Sequence, residues 1–146
     1  MTQEEKQLLI QDICARLKYG LICSIYREDD EGFGWRDAKC KGYFQNNDNY
    51  EFYFDDVITI DNIERLKPYL RPLSSMTDEE KQEYNYMVFD YEYDDYWYPG
   101  KYTDAICVDG VDELVDWLNE HYFDYRGLIG KDLALEAPND MYVIKN

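Results

Sequence analysis

The fold is decided by residues 109–129, which read DGVDELVDWLNEHYFDYRGLI. Asp109 is placed to cap the N-terminus of a helix, and Gly127 is placed to end it. The residues on the polar side are mainly acidic. We expect a sheet from the first half of the chain to cover the apolar side, because an amphipathic helix must bury that face. The apolar positions recur at i, i+3, i+4, i+7 and i+11, namely Val111, Leu114, Val115, Leu118 and Tyr122.

Two further helices are predicted by capping boxes, in which a threonine and a glutamate satisfy each other's free backbone N–H groups. These are TQEE at residues 2–5 and TDEE at residues 77–80. The first predicts a helix over residues 2–18 and the second a helix near 78–89. With the helix near 110–123, these are the three longer predicted helices.

Strands are predicted in three places. Residues 21–27 form an apolar run, and residues 36–54 read as a β-hairpin around the turn sequence NNDN. Gly42 within the hairpin indicates a bulge or a close contact. A shorter strand is expected near 102–108. Residues 28–34 contain four acids and two glycines, so a loop is expected there.

The chain between the hairpin and the second capping box is expected to be irregular. Asp61 can cap a short helix over residues 61–67, which must end before Pro68. Residues 69–75 then read as an extended connector. Because strands come early and helices flank them without regular alternation, the fold class is α+β with a small antiparallel sheet, in a single domain over residues 1–146.

Net charge restricts the choice of partner. The chain has 32 acidic and 15 basic residues, which gives −17 at pH 7. This charge argues against binding to a nucleic-acid backbone or an anionic membrane, and it favours a basic protein surface. The alternative is that the acidic surface only keeps the protein soluble.

Cysteine usage and targeting signals favour a cytoplasmic protein. Cys14, Cys23, Cys40 and Cys107 contain no C-x-x-C pair, which excludes a zinc ribbon or a thioredoxin-type motif. The apolar surroundings of Cys14, Cys23 and Cys107 indicate buried, reduced thiols. The N-terminus lacks the features of a signal peptide, and no run approaches the ~20 apolar residues that span a bilayer.

The acidic charge is concentrated in one part of the sequence. Residues 78–116 contain 13 acids and two lysines, and residues 84–102 contain seven tyrosines with Phe89 and Trp97. Tyrosine and tryptophan are favoured at interfaces, and clustered carboxylates steer basic partners. The alternative is a strand with tyrosines inward and carboxylates in solvent. The predicted contact residues are Tyr91, Glu92, Tyr93, Asp94, Asp95, Tyr96, Trp97 and Tyr98.

The same carboxylates do not predict a metal site. Asp90, Glu92 and Asp94 have the spacing that begins an EF-hand loop. The glycine required at the sixth position is replaced by Asp95, and the twelfth position is Lys101 rather than glutamate. We therefore predict no metal and no other cofactor.

Catalytic chemistry has little support in the sequence. His121 is the one histidine, and it is expected to be a packed or half-exposed helix residue. No glycine-rich phosphate loop is present. Arg71 and Arg126 lie beside apolar residues and are expected to form structural pairs with acids such as Asp124. The sequence predicts a protein that is not an enzyme.

Three segments resemble a family of small acidic proteins of gut anaerobes and their phages. They are YLRPLSSMTDEEK at residues 69–81, DWLNEHYFDYRGLI at 116–129 and LALEAP at 133–138. That family carries no known activity, so the resemblance transfers no catalytic residue. It implies a soluble intracellular protein of mobile-element origin.

Three functions follow as hypotheses. The first is a binding or regulatory protein that uses the tyrosine- and acid-rich surface. The second is a DNA mimic, whose carboxylates imitate phosphates and block a nucleic-acid-binding enzyme as phage or mobile-element counter-defence. The third is a small carboxylate-based enzyme, which would need a pocket holding two carboxylates with shifted pKa values.

Overall fold

The computed structural model describes residues 1–29, 32–47, 49–55, 59–89 and 111–142. Within these ranges the chain forms an N-terminal helix, a mostly antiparallel sheet of six strands and two further helices. The α+β fold class is therefore confirmed. None of the described helices is both long enough and apolar enough to cross a bilayer.

The sheet has the strand order β4-β3-β2-β1-β5-β6. Neighbouring strands are antiparallel except β5 and β6, which pair in parallel and so depart from the expected antiparallel sheet. The predicted strand near 102–108 lies outside the described residues. The strands are β1 Ile22–Asp29, β2 Gly32–Asn46, β3 Asn49–Phe54, β4 Thr59–Ile60, β5 Leu66–Leu70 and β6 Leu135–Glu136.

The predicted hairpin over residues 36–54 is confirmed by the pairing of β2 with β3. Asn46 lies opposite Asn49 at its turn, and the register shifts between Cys40 and Gly42, as expected for a bulge at this glycine. The predicted strand at 21–27 is also confirmed, as β1.

The loop predicted over residues 28–34 is wrong at residues 28–29 and 32–34, and residues 30–31 lie outside the described part of the chain. β1 continues to Asp29 and β2 begins at Gly32, and these two residues lie opposite each other. Gly32 and Gly34 adopt φ values of 136° and 151°, which are accessible mainly to glycine. Because exposed side chains such as Glu28 reach water, this part of the ladder tolerates acids that a buried strand would exclude.

The predicted extended connector over residues 69–75 is wrong at both ends, because residues 66–70 form strand β5 and Leu73–Ser75 form a 3₁₀ turn. Pro68 lies opposite Cys23 of β1. On the other side of β5, β6 pairs only with Tyr69 and Leu70. Pro68 therefore lies outside the β5–β6 pairing, where its missing N–H is tolerated.

The predicted short helix over residues 61–67 is reduced to a 3₁₀ turn at Ile63–Arg65. Asn62, rather than Asp61, caps it, because the Asn62 side chain accepts a hydrogen bond from the backbone N–H of Glu64 at 3.0 Å. The chain is extended again from Leu66.

Helix α1 (Gln3–Arg16) covers one face of the sheet. The predicted capping box is present, with the Thr2 N–H bound to Glu5 Oε1 at 2.9 Å and the Glu5 N–H bound to Thr2 Oγ1 at 3.0 Å. The main core joins α1 to the sheet through buried side chains, among them Leu9, Ile13, Cys23, Ile25, Cys40 and Phe52.

Helices α2 (Asp78–Phe89) and α3 (Val111–Glu120) confirm the helices expected near 78–89 and 110–123. The expectation that the sheet covers α3 is wrong. Leu114 and Leu118 of α3 lie in a second hydrophobic cluster with Tyr84 of α2 and Phe123. Asn119, placed on the exposed side by periodicity, is buried and accepts a hydrogen bond from Tyr125 Oη at 2.9 Å.

The end of α3 is set by Tyr122 rather than by Gly127. Tyr122 has φ 62°, and its N–H binds the carbonyl of Asn119 at 3.1 Å while the Phe123 N–H binds that of Leu118 at 3.0 Å. This is a Schellman cap with tyrosine in the position that usually holds glycine.

The described cysteines confirm the expectation of a buried thiol at Cys23. Cys23 and Cys40 are buried and Cys14 is half-buried, all as free thiols. Burial raises the pKa of Cys23 well above its ordinary value and that of Cys40 to about 11. Such thiols are protonated at neutral pH and unreactive. Cys107 lies outside the described residues.

Candidate functional site

The predicted contact residues 91–98 and the EF-hand-like residues 90–101 lie outside the described part of the chain. The helices that precede and follow this segment are described: α2 ends at Phe89 and α3 begins at Val111. The surface next to the segment can therefore be built from these two helices.

A groove of about 590 Å³ lies between α2 and α3, and we call it the α2–α3 groove. Five of its residues come from α2 at i, i+3, i+4, i+7 and i+8, which is one face of a helix. The sixth comes from α3. Within the described part of the chain, the lining residues are Glu79, Gln82, Glu83, Tyr86, Met87 and Trp117.

Trp117 is held in a fixed orientation. Its indole Nε1 donates a hydrogen bond to Glu83 Oε2 at 2.8 Å. Its ring centroid lies 4.3 Å from that of His121 and 6.3 Å from that of Tyr84. The indole is therefore packed on the protein side and bound to a carboxylate on the groove side.

His121 is a packed residue, as predicted. Only 6% of it is exposed, and its Nδ1 lies 2.8 Å from the carbonyl oxygen of Trp117. Its ring is nearly parallel to that of Phe123, at 8°. Within the described ranges, no group of three His, Cys, Asp or Glu residues is arranged to hold a metal ion.

The groove is strongly negative. α2 carries four acids and one lysine, and α3 carries four acids and no base. The positive charge of Arg71 neutralises the negative charge of Glu80. Lys81 lies 3.8 Å from Asp78, whose side chain is 98% exposed. Tyr86 is 57% exposed beside these charges. The groove thus combines exposed aromatic surface with acidic side chains.

A second cavity, of about 540 Å³, lies at the end of β5 between Pro72 and the loop 137–140. Arg71 and Glu80 line it, but they neutralise each other: the two Arg71 Nη atoms donate to the two carboxylate oxygens at 2.7 and 2.8 Å. Burial alone raises the pKa of Glu80, but hydrogen bonds from Arg71 and Thr77 outweigh it and leave that pKa below its ordinary value. This is the pattern of a structural ion pair, whereas a general acid needs a raised pKa.

Arg71 and Arg126 form structural pairs, but with other acids than Asp124. Arg126 Nη1 donates to Asp12 Oδ1 at 2.7 Å. Asp124 instead accepts hydrogen bonds from the backbone N–H groups of Leu128 and Ile129, at 2.8 and 2.9 Å.

Comparison of the chain with protein-family models, with curated proteins and with solved structures finds no match. The candidate site is therefore identified from the geometry of this structure alone. The predicted contact segment, residues 84–102, overlaps the end of α2 and includes Tyr86 and Met87 of the groove, but it does not include the other groove residues. The signal that could have shown the groove is the helical spacing of residues 79, 82, 83, 86 and 87.

Proposed function

We propose that this protein is a non-enzymatic binding module, which docks a basic segment of a partner protein in the α2–α3 groove and on residues 91–98. The observation that carries the proposal is the Trp117–Glu83 pair, an indole held by a carboxylate in a groove with further acids. Occupation of this groove would regulate the partner.

A basic side chain has two sources of affinity in such a groove. A cation over the face of tryptophan or tyrosine gains about 0.5–2 kcal/mol, depending on how far it is desolvated. Trp117 and Tyr86 supply these rings. Glu79 and Glu83 supply carboxylates that can bind the same cation and exclude acidic partners.

Electrostatics also favours fast association with a basic partner. α2 and α3 together carry eight acids against one lysine, and the segment between them adds more acids than bases. A patch of one sign raises the association rate of an oppositely charged partner, and salt reduces this effect. Binding should therefore weaken steeply with salt.

The proposal can be tested with a defined probe, an arginine- and glycine-containing peptide of about twelve residues. Binding is measured by calorimetry at about 0.1 M and about 1 M salt, where the screening length is roughly 10 and 3 Å. We expect Trp117→Leu and the double variant Glu79→Gln/Glu83→Gln each to weaken binding about tenfold, which is about 1.4 kcal/mol.

The matched control is Glu4→Gln/Glu136→Gln, which removes the same two charges at exposed positions on α1 and β6. It should weaken binding by less than about twofold. If both double variants weaken binding equally, the peptide is attracted only by the overall charge, and the groove is not the site.

A DNA mimic is a second proposal, favoured by one observation. Asp112, Asp116 and Glu120 are all exposed and fall at i, i+4 and i+8 of α3, so they form a row of carboxylates about 6 Å apart along the helix axis. A basic nucleic-acid-binding enzyme captured by the protein would be released by duplex DNA if this proposal holds. Release by the basic peptide but not by DNA would favour the groove instead.

A further inference from the structure

The β1–β2 hairpin projects beyond the rest of the sheet. β1 pairs with β5 only at residues 23–25, and β2 pairs with β3 only from Cys40 onwards. The two strands nevertheless pair with each other up to Asp29 and Gly32. We call residues 26–29 and 32–39 the arm.

One edge of the arm has no strand beside it in the described part of the structure. Residues 32–39 of β2 pair with β1 on one side, and no described strand pairs with the other side. An unpaired edge presents a row of backbone donors and acceptors that can add another strand. The stretch contains no proline, which would protect such an edge.

The arm also exposes large aromatic side chains. Phe33 is 80% exposed and Trp35 is 51% exposed. Trp35 contacts the ring of Tyr26 across the ladder, with centroids 5.6 Å apart. Phe33, Trp35 and Lys39 share one face of β2, because alternate residues of a strand point the same way.

Charge along the arm differs between its two ends. Residues 27–29 near the tip hold one base and two acids, with Glu28 opposite Phe33, whereas residues 36–39 towards the root hold two bases and one acid. Residues 32–39 carry two bases and one acid, in a chain of net charge −17. A second copy of the chain therefore meets less repulsion at this edge than at the acidic helices.

We propose that the arm is a homodimer interface, in which the β2 edges of two copies pair antiparallel about a two-fold axis. Antiparallel pairing places the tip of each arm beside the root of the other, so that Glu28 of one copy lies near Lys39 of the second. The two are separated by about two strand spacings, roughly 10 Å, which is about one screening length at 0.1 M salt.

The interface is small, so the dimer is weak. The exposed parts of Phe33 and Trp35 in two copies offer on the order of 500 Å², whereas stable interfaces bury about 1,200–2,000 Å². Backbone pairing must contribute the rest. We expect a dissociation constant in the micromolar range, which decreases as salt screens the repulsion between the two chains.

Sedimentation equilibrium of the full chain tests the proposal, at protein concentrations from about 1 µM to about 1 mM and at about 0.1 and 0.5 M salt. Hydrogen exchange at both ends of the concentration range should show protection of residues 32–39 that increases with concentration. Phe33→Asp should raise the dissociation constant at least about tenfold, and Tyr86→Asp, an exposed aromatic on α2, should leave it unchanged within about twofold.

A charge exchange distinguishes this interface from other dimers. Lys39→Glu alone should weaken the dimer several-fold at about 0.1 M salt, and Glu28→Lys in the same chain should restore it, because tip and root then carry exchanged charges. A monomer under all conditions would overturn the proposal. A dimer that Phe33→Asp leaves intact, or whose protection lies outside residues 32–39, would overturn it too.

Discussion

Arg71 and Glu80 join the end of strand β5 to the start of helix α2 by a bidentate ion pair, with Nη–Oε distances of 2.7 and 2.8 Å. Glu80 also closes the capping box of α2: its Oε1 accepts the Thr77 N–H at 2.9 Å, and its own N–H binds Thr77 Oγ1 at 3.2 Å. One carboxylate therefore determines where α2 begins and how it lies against the sheet, and α2 carries five of the six described residues that line the α2–α3 groove.

Glu80→Gln is expected to lower the free energy of unfolding by about 3 kcal/mol at pH 7, because it leaves the largely buried Arg71 guanidinium without a counter-charge. Urea denaturation followed by circular dichroism measures the change. Asp78→Asn, two positions earlier in the same helix and almost fully exposed, should cost less than about 0.5 kcal/mol. Equal effects of the two substitutions would contradict a special role for the ion pair.

The same ion pair predicts a pH dependence. Since the folded pKa of Glu80 lies below its ordinary value of 4.5, the carboxylate stabilises the fold fully above that pH, and the contribution is lost as pH falls through the folded pKa. The difference in unfolding free energy between the wild type and Glu80→Gln should therefore be constant from pH 7 to pH 5 and shrink towards pH 3. A difference that is the same at pH 3 and pH 7 would contradict this assignment.

The parts of the fold that the sequence predicts well are those with local causes. Both capping boxes and the bulge at Gly42 involve residues only a few positions apart, and each is found where expected. Strand β5 was missed because Pro68 is unfavourable in a strand by local rules. Its place in the sheet depends instead on β1 and β6, which lie far away in sequence. Pairing of this kind cannot be read from a local window.

Asp12→Ala is expected to be the most destabilising single substitution among those discussed, at about 3–5 kcal/mol. Asp12 and Arg16 are fully buried, and Arg16 donates to both Asp12 oxygens at 3.0 and 3.1 Å. Arg126 adds a third hydrogen bond at 2.7 Å. Removal of the carboxylate leaves two guanidinium groups without their counter-charge, and unfolding in urea measures the loss.

The control for Asp12 is an exposed ion pair of similar length. Asp132 lies 3.0 Å from Lys67, and its side chain is 89% exposed. Asp132→Ala should change the unfolding free energy by no more than about 1 kcal/mol. A loss at Asp12 as small as that at Asp132 would show that water reaches the Asp12–Arg16–Arg126 network.

Tyr142→Phe is expected to lower the free energy of unfolding by about 1–3 kcal/mol, although it removes a single oxygen. That hydroxyl accepts the N–H of Ile22 at 3.0 Å and donates to the carbonyl of Tyr69 at 2.8 Å, so it connects β1 to β5. Burial raises the pKa of Tyr142 far above its ordinary value, which keeps the hydroxyl protonated. Tyr53→Phe, which removes an exposed hydroxyl that donates to Glu51, should be neutral in the same assay.

The candidate site was only partly predictable, for a similar reason. The sequence indicates an acidic and aromatic region after residue 77, and α2 brings Glu79, Glu83 and Tyr86 of that region to the groove. Trp117 was assigned no functional role, because its partner Glu83 lies 34 positions earlier. The buried position of Asn119 was also unexpected, since periodicity describes one apolar stripe and α3 packs on more than one side.

Tyr122→Gly tests whether packing outweighs backbone strain at the end of α3. Glycine would relieve about 1–2 kcal/mol of strain at φ 62°, because it lacks the Cβ that disfavours left-handed backbone. The Tyr122 ring, however, stacks on Tyr142 at 3.6 Å between centroids, and its hydroxyl donates to the carbonyl of Tyr19. Loss of a large buried aromatic side chain costs about 3–5 kcal/mol. We therefore expect a net loss of roughly 2–3 kcal/mol in urea denaturation, whereas a more stable variant would show that the tyrosine is retained for a reason other than stability.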